Sequence, residues 1–278
     1  MNKYFKLEQS EEIKYFQCKP LEETGLVIHA FTTRLGGVSN PPFNSLNLSY
    51  QTGDKEERVL ENRKLISNVL NINYQSIISP RQVHRDNVLV INKLNKRKMI
   101  PPYDKIIIEA DSIVTNLPGI PLLLSYADCV PVLVLDPVKK TIALIHSGRK
   151  GTELEITFQT IKKMQSIFGT IPQDCLAAIF PSIGPCCYHF QDFNKLDSFW
   201  VREDNFKYKV TVMKNDELYL DLKRANYLQL IKAGLQEEKI FINEMCTVDY
   251  PFFFFSHLRD RGGNRSDGSY FYDKINFF

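Results

Sequence analysis

The sequence predicts an α/β fold (mixed α+β): layered, mixed β-sheets flanked by helices, in one domain over residues 1–278. Three observations point there. Short, continuous runs of Val, Ile and Leu recur along the chain, amphipathic segments with helix-terminus residues lie between them, and no repeat, low-complexity tract or Pro/Gly/Ser-rich linker divides it. Continuous apolar runs suit strands buried on both faces, which need a covering layer on each side.

In chain order, Leu26 to Phe31 is the first such run and reads as a strand. Asp54 followed by Glu57 is a capping-box pattern. Val59, Leu60, Ile66, Val69 and Leu70 then recur at helical spacing, predicting a helix from Asp54 to Leu70. Strands follow at Val88 to Ile91 and, beyond a basic, turn-prone loop from Asn92 to Lys105, at Leu122 to Tyr126, Val132 to Leu135 and Thr141 to Ile145. Thr152 with Glu155 opens a second helix, whose apolar face of Ile156, Ile161, Met164 and Ile167 runs to Gly169. Leu176 to Phe180 and Ile240 to Ile242 complete the strands, and a third helix from Leu222 to about Ala233 is closed by Gly234.

Thirty-five basic against thirty-two acidic side chains leave a net charge of +3, not the basic excess of a nucleic-acid-binding protein, although small anions fit it as partners. Met1 to Ser10 carries charges with no apolar run behind them, and no stretch of about eighteen apolar residues occurs, so neither a secretory signal nor a membrane anchor is expected. The expectation is a soluble, cytoplasmic protein, a monomer or small homo-oligomer, whose six cysteines are free or metal-bound.

The five histidines can be weighed one by one. His29, inside an apolar run, reads as a hydrogen-bonded core residue, and His189, after Cys186, Cys187 and Tyr188, reads similarly. His84 follows Arg81, Gln82 and Val83 at the start of a strand, and His146 ends a buried strand, where open sheets place their ligands. Cys129 stands at the junction of two expected strands. It is either a small buried hydrophobe or the third arm of a His/Cys/His zinc site, in which three protein ligands leave zinc a position for water. The intervals of 45 and 17 residues match no short zinc motif, so spacing leaves both readings open. The turn Ser147 to Gly151, two glycines and two cations before a helix, is a phosphate cradle or a plain strand-to-helix turn. Ser182 to Cys187 is another small-residue turn, whose adjacent cysteines resist an easy disulfide; they bind metal or line a pocket with Tyr188. Pro251 to Phe255 is a buried strand or a base-stacking wall, leading to a loop with Arg259, Arg261 and Arg265.

A collinear series of motifs spans most of the chain. It includes Thr33 to Ser39, Phe43 to Asn47, Asn62-Arg63, Gln82-Val83-His84, Ala110-Asp111, Pro118-Gly119, Ala127-Asp128-Cys129 and His146-Ser147-Gly148. It continues with Gly184-Pro185-Cys186-Cys187-Tyr188, Asp221-Leu222-Lys223 with Asn226, Cys246-Thr247 and Phe254-Phe255-Ser256. Together these resemble the bacterial YfiH/YlmD-type family, also called the laccase-domain or polyphenol oxidase family, whose members include purine nucleoside phosphorylases with adenosine deaminase activity. The resemblance implies that His84, Cys129 and His146 are the catalytic metal ligands, for zinc or alternatively copper. It implies nucleoside and phosphate as partners, with phosphorolysis of adenosine, inosine, guanosine and methylthioadenosine and deamination of adenosine as the reactions. Contacts to substrate or phosphate are expected from Arg34, Gly36, Gly37, Asn47, Arg63, Arg149, Lys150, Cys187 and Arg265, and Asp128 is expected to orient His84 or His146 from behind. Where the family usually has a Trp-Arg pair after the His-x-Gly turn, this chain has Arg149-Lys150. After Phe255, Leu258-Arg259 and Asn264-Arg265 stand where an Arg-Arg pair and a Gly-Arg are common.

Three rivals stand beside this reading. A Cys/His amide hydrolase acting on cell-wall precursors would use Cys129 as nucleophile. A copper-dependent polyphenol oxidase of the ordinary multicopper kind needs His-x-His pairs, and the chain has none. A non-catalytic metal-binding role is the third. Nucleoside deaminases of the His-x-Glu and Pro-Cys-x-x-Cys type are excluded, because neither motif occurs.

Overall fold

The computed structural model describes residues 3–93, 108–192 and 196–260, with the backbone of 275–277. Most of the Asn92 to Lys105 loop, and Arg261, Asn264 and Arg265, lie outside the described residues. At the centre is a six-stranded sheet in the order Ile240–Ile242, Leu176–Ile179, Val130–Asp136, Thr141–Ser147, Ser112–Thr115, Val88–Ile91. Its two outer pairs are parallel and its three inner pairs antiparallel, so the sheet is mixed as expected.

The apolar runs are continuous because this sheet is covered twice. Val132, Val134, Ala143 and Ile145 face a core shared with Ile156, Ile161, Met164, Leu222 and Leu230 of the helices. Leu133, Leu144 and Ala178, alternating with them, face a second core of Phe5, Phe16, Phe31, Phe180, Phe254 and Phe255. That aromatic core lies under a five-stranded sheet in the order Phe5–Ser10, Ile13–Cys18, Phe31–Thr32, Ile275–Phe277, Leu124–Tyr126. A three-stranded sheet of His189–Phe190, Glu217–Leu220 and Thr211–Lys214 flanks the helical side. No described helix is long and apolar enough to cross a membrane.

The helices correct the sequence reading in instructive ways. The third is as expected: Leu222–Ala233, with the Asp221 side chain accepting the Arg224 N–H at 2.8 Å and Gly234 left-handed at φ 105°. The first begins later, at Glu56–Val69, and the Asp54–Glu57 box does not form. The Asp54 carboxylate is already taken, by Lys55 N–H at 2.8 Å and the Asn47 amide at 3.0 Å. The second is split into Arg149–Glu153 and Ile156–Phe168 by left-handed Glu155. Thr152 does not cap it. Its hydroxyl donates back to Gly148 O at 2.8 Å, and Glu155 instead binds Lys232 at 2.7 Å.

Among the strands, Leu26 to Phe31 is mostly irregular, with only Phe31–Thr32 paired. Leu26, Val27 and Ile28 instead line a cavity of about 720 Å³ with Pro118, Ile120 and Leu122. Two hairpins went unread. Phe5–Ser10 with Ile13–Cys18 mixes charges into its alternation, and Thr211–Lys214 with Glu217–Leu220 turns through Asn215 and Asp216, both at positive φ.

Candidate metal centre

The register of three neighbouring strands brings Cys129, His146 and Asp111 together. Pro131 pairs with His146 and Val130 with Ser147, so Cys129, one residue before its strand, comes opposite Gly148. Ser112 pairs with Ile145 on the other side, which sets Asp111 opposite His146, and His146 N–H donates to Asp111 O at 2.7 Å. His84 arrives on a loop that is itself tied to the sheet. The Gln82 amide donates to Ser125 O at 2.8 Å and accepts Ser125 N–H at 2.7 Å, in effect extending the neighbouring strand with a side chain.

His84, Cys129 and His146 consequently offer one ligand atom each within 4.8 Å of one another. The two imidazoles meet edge to face, with ring centroids 4.8 Å apart. His146 is fully buried, whereas His84 and Cys129 are half-buried, so an ion held by the three would face solvent on their side.

Asp111 organises this group. It is fully buried, and its carboxylate accepts the N–H groups of Val83, His84 and Arg85 at 3.1, 2.9 and 3.0 Å while lying 2.8 Å from His146 Nδ1. Burial pushes this carboxyl upward, but the hydrogen bond and charge of His146, with the Arg85 and Val83 N–H groups, outweigh it and hold it below its ordinary value. An ionised Asp111 accepts a hydrogen bond from Nδ1–H, which places the lone pair of a neutral His146 on Nε2, the arrangement of a metal-ligating histidine. The same carboxylate bends the His84 loop into place, with His84 itself at φ 57°.

Gly148 supplies the remaining fit. A Cβ there would lie 2.8 Å from Cys129 Sγ and 3.3 Å from His84 Cδ2, so any larger residue would fill the space between two of the three ligands. Donor chemistry, tautomer and space all suit a metal ion.

A family model described as multi-copper polyphenol oxidoreductase laccase matches residues 28–268, most of the sequence. The chain belongs to this laccase family. Among laccase-family relatives, the purine nucleoside phosphorylase YlmD of Bacillus subtilis is 35% identical over 236 residues, covering 85% of this chain and 84% of that protein. A protein named adenosine deaminase RL5, from an unknown prokaryotic organism, is 28% identical, covering 84% of this chain and 89% of its own length. The crystal structure of Bacillus licheniformis YfiH superposes with a TM-score of 0.83 at 29% identity, over 99% of this chain and 98% of that one. That of YlmD from Geobacillus stearothermophilus gives 0.82 at 27%, over 98% and 96%.

Within this laccase-family chain, the carboxylate behind the three converging side chains is Asp111, not Asp128. Asp128, although adjacent to Cys129, is at φ 86° and points the other way, accepting Thr247 Oγ1–H at 2.6 Å, Ser256 Oγ–H at 3.1 Å and Leu258 N–H at 2.7 Å. Burial pushes its carboxyl above the ordinary value despite these bonds. It fastens the segment after Phe255 to the sheet.

The other expected contacts spread out. Asn47 and Arg63 are buried and serve the loop before the first helix. Asn47 binds Ser49, Thr52 and Asp54, while Arg63 donates to Leu48 O at 2.8 Å under the Tyr50 ring. Gly36 and Gly37 permit close backbone approach: a Cβ on Gly36 would lie 2.6 Å from Glu12 O, and one on Gly37 would collide with Ser45 O. Arg34 lies over the Phe255 ring and donates to Asn44. Arg149 and Lys150 both pair with Glu153 at 2.9 Å, so part of their charge is compensated. Burial pushes the Tyr188 phenol up to about 12, with the nearby Arg149 charge opposing and Cys129 adding to the shift. Cys187 belongs to a different cluster, with Asp249.

Proposed function

We propose that this chain is a zinc-dependent purine nucleoside enzyme, catalysing phosphorolysis of adenosine, inosine, guanosine and methylthioadenosine and deamination of adenosine. The observation that carries this reading is the convergence of His84, Cys129 and His146 in front of a carboxylate that fixes the His146 tautomer. The relatives' names supply the substrate class. Two imidazoles and a thiolate suit zinc, which takes nitrogen and sulfur tetrahedrally. Copper favours the same donors, but an ordinary multicopper cluster draws on His-x-His pairs, which this sequence lacks. When bound, zinc supplies Lewis acidity at neutral pH.

The chain's own residues do the positioning. Asp111 Oδ1 holds the Nδ1 proton of His146, so the ring keeps one tautomer and one orientation through turnover. Tyr188 and Arg149 lie near Cys129, and Arg149, although paired with Glu153, is the cation we assign to phosphate there. In deamination, a water oxygen bonds to C6 of adenine and the C6–N bond breaks; one water proton leaves with the amino group as ammonia and the other ends on N1 of the base, giving inosine. In phosphorolysis, a phosphate oxygen bonds to ribose C1′ as the C1′–N9 bond breaks, and the base departs with a proton. Positive charge develops on the ribose in that step, where the phosphate anion itself is the closest counter-charge.

Incubating zinc-loaded protein with adenosine, with and without phosphate, tests the reading. Inosine is expected without phosphate, and adenine with ribose 1-phosphate when phosphate is present; no turnover in either case overturns it. One alternative has its own observation: Asp111, His146 and Cys129 form a carboxylate–imidazole–thiol series such as an amide hydrolase uses. Stoichiometric zinc that protects Cys129 from iodoacetamide supports the nucleoside enzyme, whereas a metal-free, alkylation-sensitive amidase supports the hydrolase.

A further inference from the structure

A second group of soft ligands converges away from this centre. The turn after the Leu176–Ile179 strand and the one after Ile240–Ile242 run side by side. Ser182 and Cys246 form an isolated parallel bridge, and Thr247 N–H donates to Ser182 O at 3.1 Å. The bridge gathers Cys186, Cys187, Cys246 and Asp249, whose ligand atoms all lie within 4.8 Å of one another. One carboxylate spans the adjacent thiols, with Cys186 Sγ 3.1 Å from Asp249 Oδ2 and Cys187 Sγ 3.2 Å from Oδ1.

Features around the cluster point to a built arrangement rather than a chance meeting of side chains. Gly184 N–H is directed at Cys246 Sγ at 3.3 Å, which fixes where that sulfur sits relative to the turn. A Cβ on Gly184 would lie 3.1 Å from Cys186 Sγ and 3.4 Å from Cys246 Cβ, so the approach of these residues depends on glycine. Lys223, only 3% exposed, places its ammonium on the carbonyls of Asn243 and Met245, next to Cys246.

We propose that Cys186, Cys187, Cys246 and Asp249 form a second, structural site for a thiophilic divalent cation of the zinc class. Three sulfurs and one carboxylate exclude magnesium and calcium, which require six or more oxygens, and a complete set of four protein ligands is the pattern of a structural zinc. Adjacent Cys186 and Cys187 are poorly shaped for a disulfide with each other, and all six cysteines of the chain are free. The ion clamps the two turns together next to Asp128, whose carbonyl accepts Ile183 N–H at 2.9 Å and whose carboxylate accepts Thr247 Oγ1–H at 2.6 Å. It therefore braces the segment that carries Cys129 without touching the first centre.

Full-length protein, stripped of metal under reducing conditions, is titrated with Zn²⁺ alone and, separately, with Co²⁺. Two ions per chain are expected for the wild type and one for each of Cys129→Ala, Cys246→Ser and the surface variant Cys186→Ser. Most of the thiolate-to-cobalt absorption disappears in Cys246→Ser and Cys186→Ser, because this site has three sulfurs against one in the other. Cys129→Ala retains most of it. Should the wild type bind one ion, with Cys186→Ser unchanged and Cys129→Ala binding none, the second site does not exist. A disulfide among these cysteines in freshly purified protein, seen as a loss of two hydrogens in intact mass, overturns it equally.

Discussion

His29, just before one strand, and His146, within another, are both fully buried and both touch aromatic rings, yet only one belongs to the centre. His29 accepts the Cys18 N–H on Nε2 at 2.9 Å, so its lone pair is spent inside the fold. His146 donates its Nδ1–H as a hydrogen bond to Asp111 and turns Nε2 toward Cys129 and His84. Burial does not distinguish a ligand from a core histidine; the partner of the opposite nitrogen does.

Exchanging the two residues' fates is the sharpest way to break the comparison. His146→Ala is expected to lower metal affinity and nucleoside turnover by more than about a hundredfold, beyond the ~10–100-fold typical of orienting partners. His29→Ala leaves metal content unchanged and costs roughly 1–3 kcal/mol of stability through the orphaned Cys18 N–H. Metal analysis and urea unfolding on both variants decide it.

Next in size is Asp111→Asn, which keeps the shape but not the charge behind His146. Metal affinity, measured by competition with a chelator, is expected to fall about 10–100-fold, whereas Asp128→Asn leaves it within about twofold because Asp128 touches no ligand ring. Equal losses in the two variants would show that the carboxylates share the task. Gly148→Ala follows, with a loss toward the lower end of that ~10–100-fold range as Cys129 Sγ is displaced by the new methyl 2.8 Å away.

The smallest effect on the metal, and a distinct effect on stability, comes from pH. Burial lowers the His29 pKa from 6.5 to about 4, with Glu22 opposing and Lys6 assisting. A depressed folded-state value means that the unfolded chain takes up the proton first. Stability is therefore full above about pH 6.5 and is lost as pH falls toward about 4, by at most roughly 3 kcal/mol. His29→Gln should flatten that part of the pH–stability curve; a curve unchanged by the substitution would place the pH sensitivity elsewhere.

The same contrast explains what could be read in the chain. The buried strands and the Leu222–Ala233 helix were legible because apolar runs and the closing Gly234 are local signals. The three converging residues were not legible from spacing, since strand register, not sequence interval, brings Cys129 opposite Gly148; the motif resemblance supplied them. Asp111 was missed as the orienting group because it precedes Ser112–Thr115, a strand too short and too rich in Ser and Thr to stand out. Adjacency favoured Asp128 instead, and its left-handed backbone reverses that inference. The Asn215-Asp216 turn was a readable hairpin signal that passed unused.

The hairpin between Cys129 and His146 has two ends, and only one carries chemistry. Val130–Asp136 and Thr141–Ser147 each advance roughly 3.3 Å per residue, which sets the Pro137–Lys140 bend about 20 Å from the ligands. That bend is exposed at Val138 to Lys140 and tied down locally by Asp136 Oδ1, which accepts the N–H groups of Val138 and Lys139. Residues grafted there would lengthen the chain between two ligands while leaving their separation in space untouched, so the bend is a natural attachment point for a fluorophore, an affinity handle or an entire guest protein.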